Sequence, residues 1–180
     1  LQSLNKTGNV SFDGDVYKTH AGVSVAGSQP FGVVVAALGE QMLRVTAALA
    51  DGTLTWCTGP STLANHTIPV LQRAAEELGK PKQRVIAALP VCVTTKVAEA
   101  RERASQVFAV YGQLPSYRAM LDKEGAAGPA DIAIVGTAAE VTERIAALAD
   151  IGVTDFAAVE FGGDSDESAN TRAALKTLLS

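Results

Sequence analysis

The sequence predicts an α/β fold with a parallel sheet, because four short apolar segments alternate with segments of helical periodicity. The first of these segments, 32–38, is apolar on successive residues, which is typical of a parallel strand buried on both faces. Further strands are predicted at 53–58, 84–93 and 154–161, each followed by an amphipathic helical pattern. Alternation of this kind produces parallel strands joined by right-handed crossovers.

Glycine, proline and capping residues predict where the first helices begin and end. The helix at 40–51 is expected to close at Gly52, and Ser61 is expected to cap the next helix before Pro69 restarts it. Inside the third strand, Pro90 has no N–H to donate, so the strand is expected to bulge or to be unpaired there.

The third and fourth helical patterns are strongly amphipathic. In 96–111, Glu99 stands four residues before Arg103, a spacing typical of an ion pair on a helix. Thr137 and Glu140 form a capping box at the start of the last long helix before the fourth strand. The apolar residues expected to share the buried face of 96–111 are Val97, Ala100, Ala104, Val107, Phe108 and Tyr111.

Four strand–helix units can form a doubly wound sheet or half of an eight-stranded barrel. The doubly wound sheet is disfavoured, because 37–40 is not the glycine-rich fingerprint expected after its first strand. Four units are half the number in a (β/α)8 barrel. The first 30 residues differ, because Asp13-Gly14-Asp15 between short alternating segments predicts a hairpin followed by a linker. We therefore expect a hairpin and linker at 1–30 and a (β/α)4 half-barrel at 31–180.

Composition narrows the classes of function. Apolar residues make up 47% of the 180 residues and the net charge is −4, which indicates a globular protein and disfavours nucleic acid as a partner. No apolar run reaches the ~20 residues of a membrane span, so no membrane partner is expected. The two cysteines, Cys57 and Cys92, cannot form a disulfide framework and favour a reducing cytoplasm. No cluster of side chains has metal-ligand spacing, so no metal is expected.

Several motifs carry a family resemblance in their order and spacing. Residues 136–141 read Gly-Thr-Ala-Ala-Glu-Val at a helix start, and 152–156 read Gly-Val-Thr-Asp-Phe at the entry to a strand. Together they resemble a recurrent pattern of the bacterial luciferase-like flavin and deazaflavin oxidoreductases, a helix start followed by the turn into the eighth barrel strand, although Ile151 stands where alanine is commoner. Four further segments resemble that family in order, and these are 34–43, 50–56, 89–93 and 111–117.

This resemblance implies a fold, a cofactor and a reaction. The fold is the C-terminal half of a (β/α)8 TIM barrel, and 89–93 and 111–117 are most similar to the branch that uses coenzyme F420, with FMN as the alternative. The reaction implied is hydride transfer between the deazaflavin and a small organic substrate, or flavin-dependent monooxygenation. The family's first four strands carry its usual catalytic side chains, so no catalytic residue is assigned in this chain.

Six residues are candidates for binding the cofactor. Four of them, Leu38, Gly39, Gln41 and Met42, lie where a strand ends and a helix begins. The free N–H groups at such a helix start suit a phosphate. The family resemblance implies that this turn contacts the cofactor's phosphate or ribityl chain. Glu40 would compete for the same donors, and Gly39 is equally explained as a tight turn. Trp56 and Thr58 end the next strand, on the face where barrel enzymes place their sites; simple packing is the alternative for the indole ring.

Other polar residues have structural explanations at least as strong as functional ones. His66, in a helix interrupted by Pro69, is expected to be hydrogen-bonded within the fold, and His20 to have no role. Cys57 and Cys92 lack the surroundings of a reactive thiolate and are expected to be buried thiols. Glu160 ends the fourth strand, where its carboxylate could face the mouth of a site or serve the fold.

The sequence leaves three functions open. The leading one is an oxidoreductase subunit or fragment of the luciferase-like type. The second is a non-catalytic half-barrel that binds or assembles, and the third is a phosphate-binding barrel lyase or isomerase, for which no acid–base pair is found. A half-barrel exposes two strand edges and one sheet face, so we expect a homodimer or pairing with an N-terminal half-barrel.

Overall fold

The structure of the protein is a computed structural model that describes residues 1–27 and 29–179. The chain forms two compact units, Leu1–Val33 and Val34–Ser180. Ser28, in the predicted linker, and the terminal Ser180 lie outside the described residues. Among the described helices, none is both long and apolar enough to cross a membrane.

The first unit contains the predicted hairpin. Helix α1 (Gln2–Thr7) precedes strand β1 (Asn9–Asp13), which pairs antiparallel with β2 (Lys18–Gly22). Asp13 lies opposite Lys18, so the connection is 14–17 and includes the Asp-Gly turn signal. Val16 and Tyr17, which form the alternating segment directly after the Asp-Gly turn signal, lie in this connection, because β2 begins only at Lys18.

The second unit is built on one parallel sheet of five strands. Strands β3, β4, β5 and β7 are neighbours in that order, and β6 pairs with the C-terminal end of β5. The predicted order and direction of the four main strands are confirmed, and β6 is an additional short strand. The bounds of the strands are β3 (Val34–Ala36), β4 (Gly52–Trp56), β5 (Arg84–Val93), β6 (Ile134–Gly136) and β7 (Asp155–Glu160).

Pro90 is unpaired on one edge of β5, which is one of the two outcomes that the sequence predicts. It lies opposite Val159 in the continuous parallel register between β5 and β7, without a bulge. On the other edge of β5, pairing with β4 stops at Ala88 and pairing with β6 begins at Val91. The missing N–H of the proline therefore falls in the gap between two partner strands.

Helices connect the strands, and several of their ends differ from the predictions. Helix α2 stops at Leu49, and Gly52 is already in β4, where an added Cβ would lie 2.3 Å from the carbonyl oxygen of Arg84. Close strand packing, not helix termination, therefore requires this glycine. The bounds are α2 (Glu40–Leu49), α3 (Pro60–Thr62), α4 (Ile68–Glu77), α5 (Val97–Val107), α6 (Pro115–Glu124), α7 (Pro129–Ile132), α8 (Ala138–Asp150) and α9 (Ser165–Lys176).

Helix α5 buries a narrower stripe than the sequence predicts. Ala100, Ala104 and Phe108 are buried at spacing i, i+4, i+8, but Val97 is 36% exposed and Val107 is 57% exposed. The stripe follows i+4 steps only, so the two valines turn towards solvent.

The expected ion pair between Glu99 and Arg103 is also not observed. Arg103 instead donates to Glu167 in α9, with Nη2 to Oε2 at 2.6 Å. The partner comes from a distant segment because α5 and α9 both approach the carboxyl ends of the strands.

The two faces of the sheet differ in how they are covered. One face packs on the helices and holds the largest core cluster, including Val85, Leu89 and Val91. On the other face, Leu54 and Ile86 are only half-buried and Val159 is 36% exposed. We call this second surface, which carries Leu54, Ile86 and Val159, the open face.

The capping box of α8 is confirmed and gives a test of this part of the fold. Thr137 N donates to Glu140 Oε2 at 2.7 Å, and Glu140 N donates back to Thr137 Oγ1 at 3.4 Å. We expect Thr137→Ala to lower the free energy of unfolding by about 1 kcal/mol, measured by urea denaturation. Thr142→Ala, within the same helix, is the control and should be neutral or slightly stabilising, since alanine is the better helix former. Equal losses for both variants would contradict a specific capping role.

Candidate active site

A cleft of about 370 Å³ lies at the carboxyl ends of β3 and β4, on the open face of the sheet. Its volume is at the lower end of the range for small-molecule sites. Four of the six candidate residues line it, namely Leu38, Gly39, Met42 and Trp56. The remaining lining residues are Ala36, Ala37, Leu54, Ser116 and Tyr117.

The start of α2 forms one wall of the cleft and offers backbone donors. Gly39 is the N-cap, and no side chain caps the helix, so its first N–H groups have no intrahelical partner. An atom added at the Cβ position of Gly39 would meet nothing within 4 Å, which leaves room for a ligand to approach the backbone. Arg44 Nη2 donates to Glu40 Oε1 at 2.9 Å and holds this side chain along the helix. The positive charge of Arg44 offsets the negative charge of Glu40, which was expected to compete with a bound anion for the N–H donors.

Aromatic rings form the opposite wall. Trp56, the last residue of β4, packs edge to face on Tyr111 at 5.5 Å between ring centroids, and Tyr111 packs on Tyr117 at 5.1 Å. Phe108 contacts the other side of the indole at 5.6 Å. The sequence left two roles open for Trp56, packing and contact with a ligand. In the structure its ring packs on other aromatic rings and also lines the cleft.

The chain turns sharply after Trp56, and this turn removes one candidate residue from the cleft. Cys57 has φ of 49°, a left-handed conformation that non-glycine residues adopt only under constraint. Thr58 follows it and is buried, and its Oγ1 donates to the Trp56 carbonyl oxygen at 3.3 Å. Gln41, the sixth candidate, is exposed on α2 and does not line the cleft.

Three other polar residues from the sequence analysis contact the protein itself and do not line the cleft. His66 is hydrogen-bonded as expected, with Nε2 3.3 Å from the carbonyl oxygen of Leu38, so it ties the helix after β4 to the turn before α2. Glu160 does not face this cleft, because Arg172 of α9 holds its carboxylate with Nε to Oε2 at 2.9 Å. Ser61 does not cap its helix: Gly59 is the N-cap and Ser61 N donates to Glu124.

Both cysteines are buried free thiols, as the sequence predicts. Burial raises the pKa of Cys57 to about 12. Burial also raises the pKa of Cys92, and the nearby Glu167 carboxylate adds to the effect.

These surroundings predict slow modification of the native chain. With its pKa raised to about 12, almost none of the Cys57 thiol is ionised at pH 8, even where reagent reaches it. We expect a chromogenic disulfide reagent to react slowly with the native chain at pH 8 and rapidly with both thiols after denaturation in urea. Rapid reaction of either cysteine in the folded chain would contradict their burial.

A second polar cluster lies at the carboxyl ends of β5 and β7, outside the cleft. Glu167 is buried and its Oε2 accepts from Arg103 Nη2 at 2.6 Å and from Gly163 N at 2.7 Å. Arg103 also donates to the carbonyl oxygen of Phe161 at 3.0 Å, and Cys92 Sγ lies 3.7 Å from Glu167. Among the described residues no group of histidine, cysteine and acidic side chains is arranged to hold a metal ion.

Sequence reasoning missed the contribution of α6 to the cleft. Ser116 and Tyr117 line it from a helix more than fifty residues further along the chain than β4. In the sequence, 111–117 stands out only as a family motif, although its two tyrosines are the signal that could have placed it against Trp56.

One family model and several solved structures match this chain. A family model described as luciferase-like monooxygenase matches residues 1–155. No curated protein sequence matches the chain. Among solved structures, an F420-dependent secondary alcohol dehydrogenase in complex with an F420–acetone adduct is 20% identical, with a TM-score of 0.72, and the match covers 94% of this chain and 56% of that one.

Two other structures show the same fold. The coenzyme F420-dependent tetrahydromethanopterin reductase from Methanopyrus kandleri is 19% identical, with a TM-score of 0.71 over 96% of this chain and 58% of that chain. The FMN-bound oxygenating constituent of 3,6-diketocamphane monooxygenase from Pseudomonas putida is 16% identical, with a TM-score of 0.61 over 98% of this chain and 58% of that chain. The chain thus spans just over half the length of these structures, and the predicted half of a TIM barrel is confirmed.

Proposed function

The chain belongs to the luciferase-like monooxygenase family, and from this premise we propose that it forms the C-terminal half of an F420-dependent oxidoreductase. The reaction proposed is hydride transfer between the deazaflavin and a small organic substrate. The observation that carries the proposal is the cleft at the carboxyl ends of β3 and β4. Four of the residues that are expected to bind the cofactor line this cleft. This is the edge of the sheet where barrel enzymes place their sites.

The residues of the cleft fit part of a flavin-type cofactor. Such a molecule has an anionic phosphate, a polar chain and a flat aromatic ring. The uncapped start of α2 offers N–H donors to the phosphate, and the free space at Gly39 permits close approach of the backbone. Trp56 and Tyr117 give an apolar wall for the chain or ring.

The part that this chain plays in the reaction is positioning and exclusion of water. The bound deazaflavin supplies the hydride chemistry itself. Gly39 and the first turn of α2 hold the anionic end, and the packed rings of Trp56, Tyr111 and Tyr117 keep one side of the cleft dry. Because the match spans about half of each related structure, residues that contact the reacting atoms are expected from the other half of the barrel.

FMN-dependent monooxygenation is the second candidate, favoured by the FMN-bound monooxygenase with a TM-score of 0.61. Both F420-dependent structures align at 0.72 and 0.71, which supports the deazaflavin as the first choice. Isothermal titration of the purified chain with F420 and with FMN tests the proposal. We expect heat of binding with F420 and a weaker response with FMN. Absence of binding by either would favour the non-catalytic half-barrel instead.

We also propose that the open face is covered by a second half-barrel, from another copy of this chain or from an N-terminal half. Within the described residues, β3 and β7 each pair on one side only. Unpaired parallel edges next to a half-buried apolar face favour addition of further strands.

A further inference from the structure

Glu124, the last residue of α6, makes an unusual long-range contact with α3, the single helical turn that directly follows β4. One carboxylate oxygen accepts from Ser61 N at 3.1 Å and the other accepts from Thr62 N at 2.6 Å. A carboxylate that accepts two backbone N–H groups forms charge-assisted hydrogen bonds, which are stronger than neutral ones. The two ends of this contact are more than sixty residues apart in the sequence.

The turn is shaped to receive this side chain. A Cβ atom at Gly59 would lie 2.2 Å from Glu124 Cδ, so only glycine leaves room for the carboxylate against the backbone. Thr62 adds a second tie to the same helix, since its buried Oγ1 donates to the carbonyl oxygen of Met120 at 3.2 Å. The C-terminal half of α6 is therefore fastened to the chain just beyond Cys57 and its left-handed backbone.

The other end of α6 forms the wall of the cleft. Ser116 and Tyr117 lie in its first turn and line the cleft directly. Tyr117 also holds Tyr111, which in turn packs on Trp56. Because a short helix such as α6 moves as a rigid body, a contact that holds its C-terminal end also fixes the position of Tyr117 at its N-terminal end.

We propose that Glu124 is a positioning residue for the cofactor cleft: it fastens α6 to the turn after β4 and so holds the wall formed by Tyr117, Tyr111 and Trp56. The effect on cofactor affinity rests on the proposed function. The effect on the geometry of the wall does not, since it can be measured without any ligand. Glu124 acts through α6 and makes no contact with the cleft itself.

The single tryptophan of the chain allows a direct test. Acrylamide quenching of Trp56 fluorescence measures how accessible the indole is. We expect Glu124→Ala to raise the quenching constant about twofold or more, because both hydrogen bonds are lost. Glu124→Gln retains one acceptor oxygen and should fall between Glu124→Ala and the unaltered chain. Asp122→Asn is the matched control: it lies on the same helix, its side chain is 67% exposed, and its carboxylate accepts from Arg118 Nε at 2.8 Å.

Cofactor titration gives the second readout. We expect F420 to bind about tenfold more weakly to Glu124→Ala than to the unaltered chain, and Asp122→Asn to bind normally. If Glu124→Ala fails to fold by circular dichroism, Glu124→Gln carries the test, with a smaller shift in the same direction. Unchanged quenching in both folded variants would overturn the proposal. Raised quenching without F420 binding by any chain would support the positioning role and reject the proposed function.

Discussion

The purified chain is expected to sediment as a pair of chains at micromolar concentration. On the open face, Leu54, Ile86 and Val159 are half-buried or exposed, while helices cover the opposite face. Fully burying an exposed side chain of this kind contributes about 1.5–3 kcal/mol. These three side chains are already partly buried, so covering them contributes only part of that amount each, which is still a sizeable share of the total stability of a small domain, about 5–15 kcal/mol. Two half-sheets joined through the edges of β3 and β7 would bring together eight main parallel strands, namely β3, β4, β5 and β7 of each chain.

A pair of variants distinguishes this association from nonspecific contact. Val159→Lys places a charge on the open face beside the unpaired edge of β7, a common device against strand addition, and should weaken association by about tenfold or more. Val45→Lys is the control, since Val45 is 45% exposed on α2, compared with 36% for Val159. Analytical ultracentrifugation of the three chains gives the comparison. A folded chain that stays monomeric would contradict association through the open face.

Removal of the Glu167 carboxylate is expected to cause a larger loss of stability than removal of a helix cap. Glu167→Ala removes the carboxylate that accepts from Arg103 Nη2 and from the Gly163 N–H in a mostly buried setting, and leaves Arg103 with the Phe161 carbonyl oxygen as its remaining oxygen acceptor. Breaking a buried pair in this way should cost about 3 kcal/mol, measured by urea denaturation. Asp166→Ala, the neighbouring exposed carboxylate at the start of α9, should cost less than about 1 kcal/mol. Similar losses of unfolding free energy for both variants would show that negative charge at the start of α9, and not the buried pair with Arg103, stabilises the fold.

The same carboxylate predicts a dependence on pH. Burial by itself raises the pKa of Glu167. The Gly163 N–H, the Thr94 hydroxyl and the Arg103 guanidinium together lower it by more than burial raises it, so the pKa lies below its ordinary value. A carboxyl with a lowered folded-state pKa stabilises the fold above its unfolded-state pKa, and this contribution is lost as the pH falls through the folded-state value. The stability difference between the unaltered chain and Glu167→Gln should therefore shrink when the pH is lowered from 7 to about 3. A constant difference over that range would contradict an ionised Glu167.

The arrangement of the sheet was predictable because it depends on local patterns. Runs of apolar residues mark the strands, and the capping box of Thr137 and Glu140 needs only four consecutive residues. The expectation that the first strand is buried on both faces was wrong, because Val34 and Val35 are half-buried and Ala36 is exposed on the open face of the sheet. Even the gap at Pro90 follows from the missing N–H of proline. Strand and helix ends were less accurate, because they depend on which backbone groups find partners. Gly52 shows this, since its role is set by the carbonyl of Arg84 across the sheet.

The long-range contacts of the fold and of the cleft wall were not predictable, because they join distant segments. Arg103 has a possible partner one turn away in Glu99, yet pairs with Glu167 because α9 brings a buried carboxylate closer. Likewise Glu124 carries no local signal for its contact with Thr62. The start of α2 was predictable from its glycine, whereas the part played by Tyr117 required the position of α6.

The central claim, that the cofactor binds in the cleft between Gly39 and Trp56, is tested most directly by fluorescence of that tryptophan. F420 absorbs in the emission range of indole, so binding beside Trp56 should quench its emission strongly and saturably. Gly39→Val should abolish the quenching by filling the open space at that position, and Gly128→Val, at the equally open N-cap of α7, should leave it intact. Binding of F420 without quenching, or equal quenching in the Gly39→Val chain, would place the cofactor elsewhere and contradict this claim.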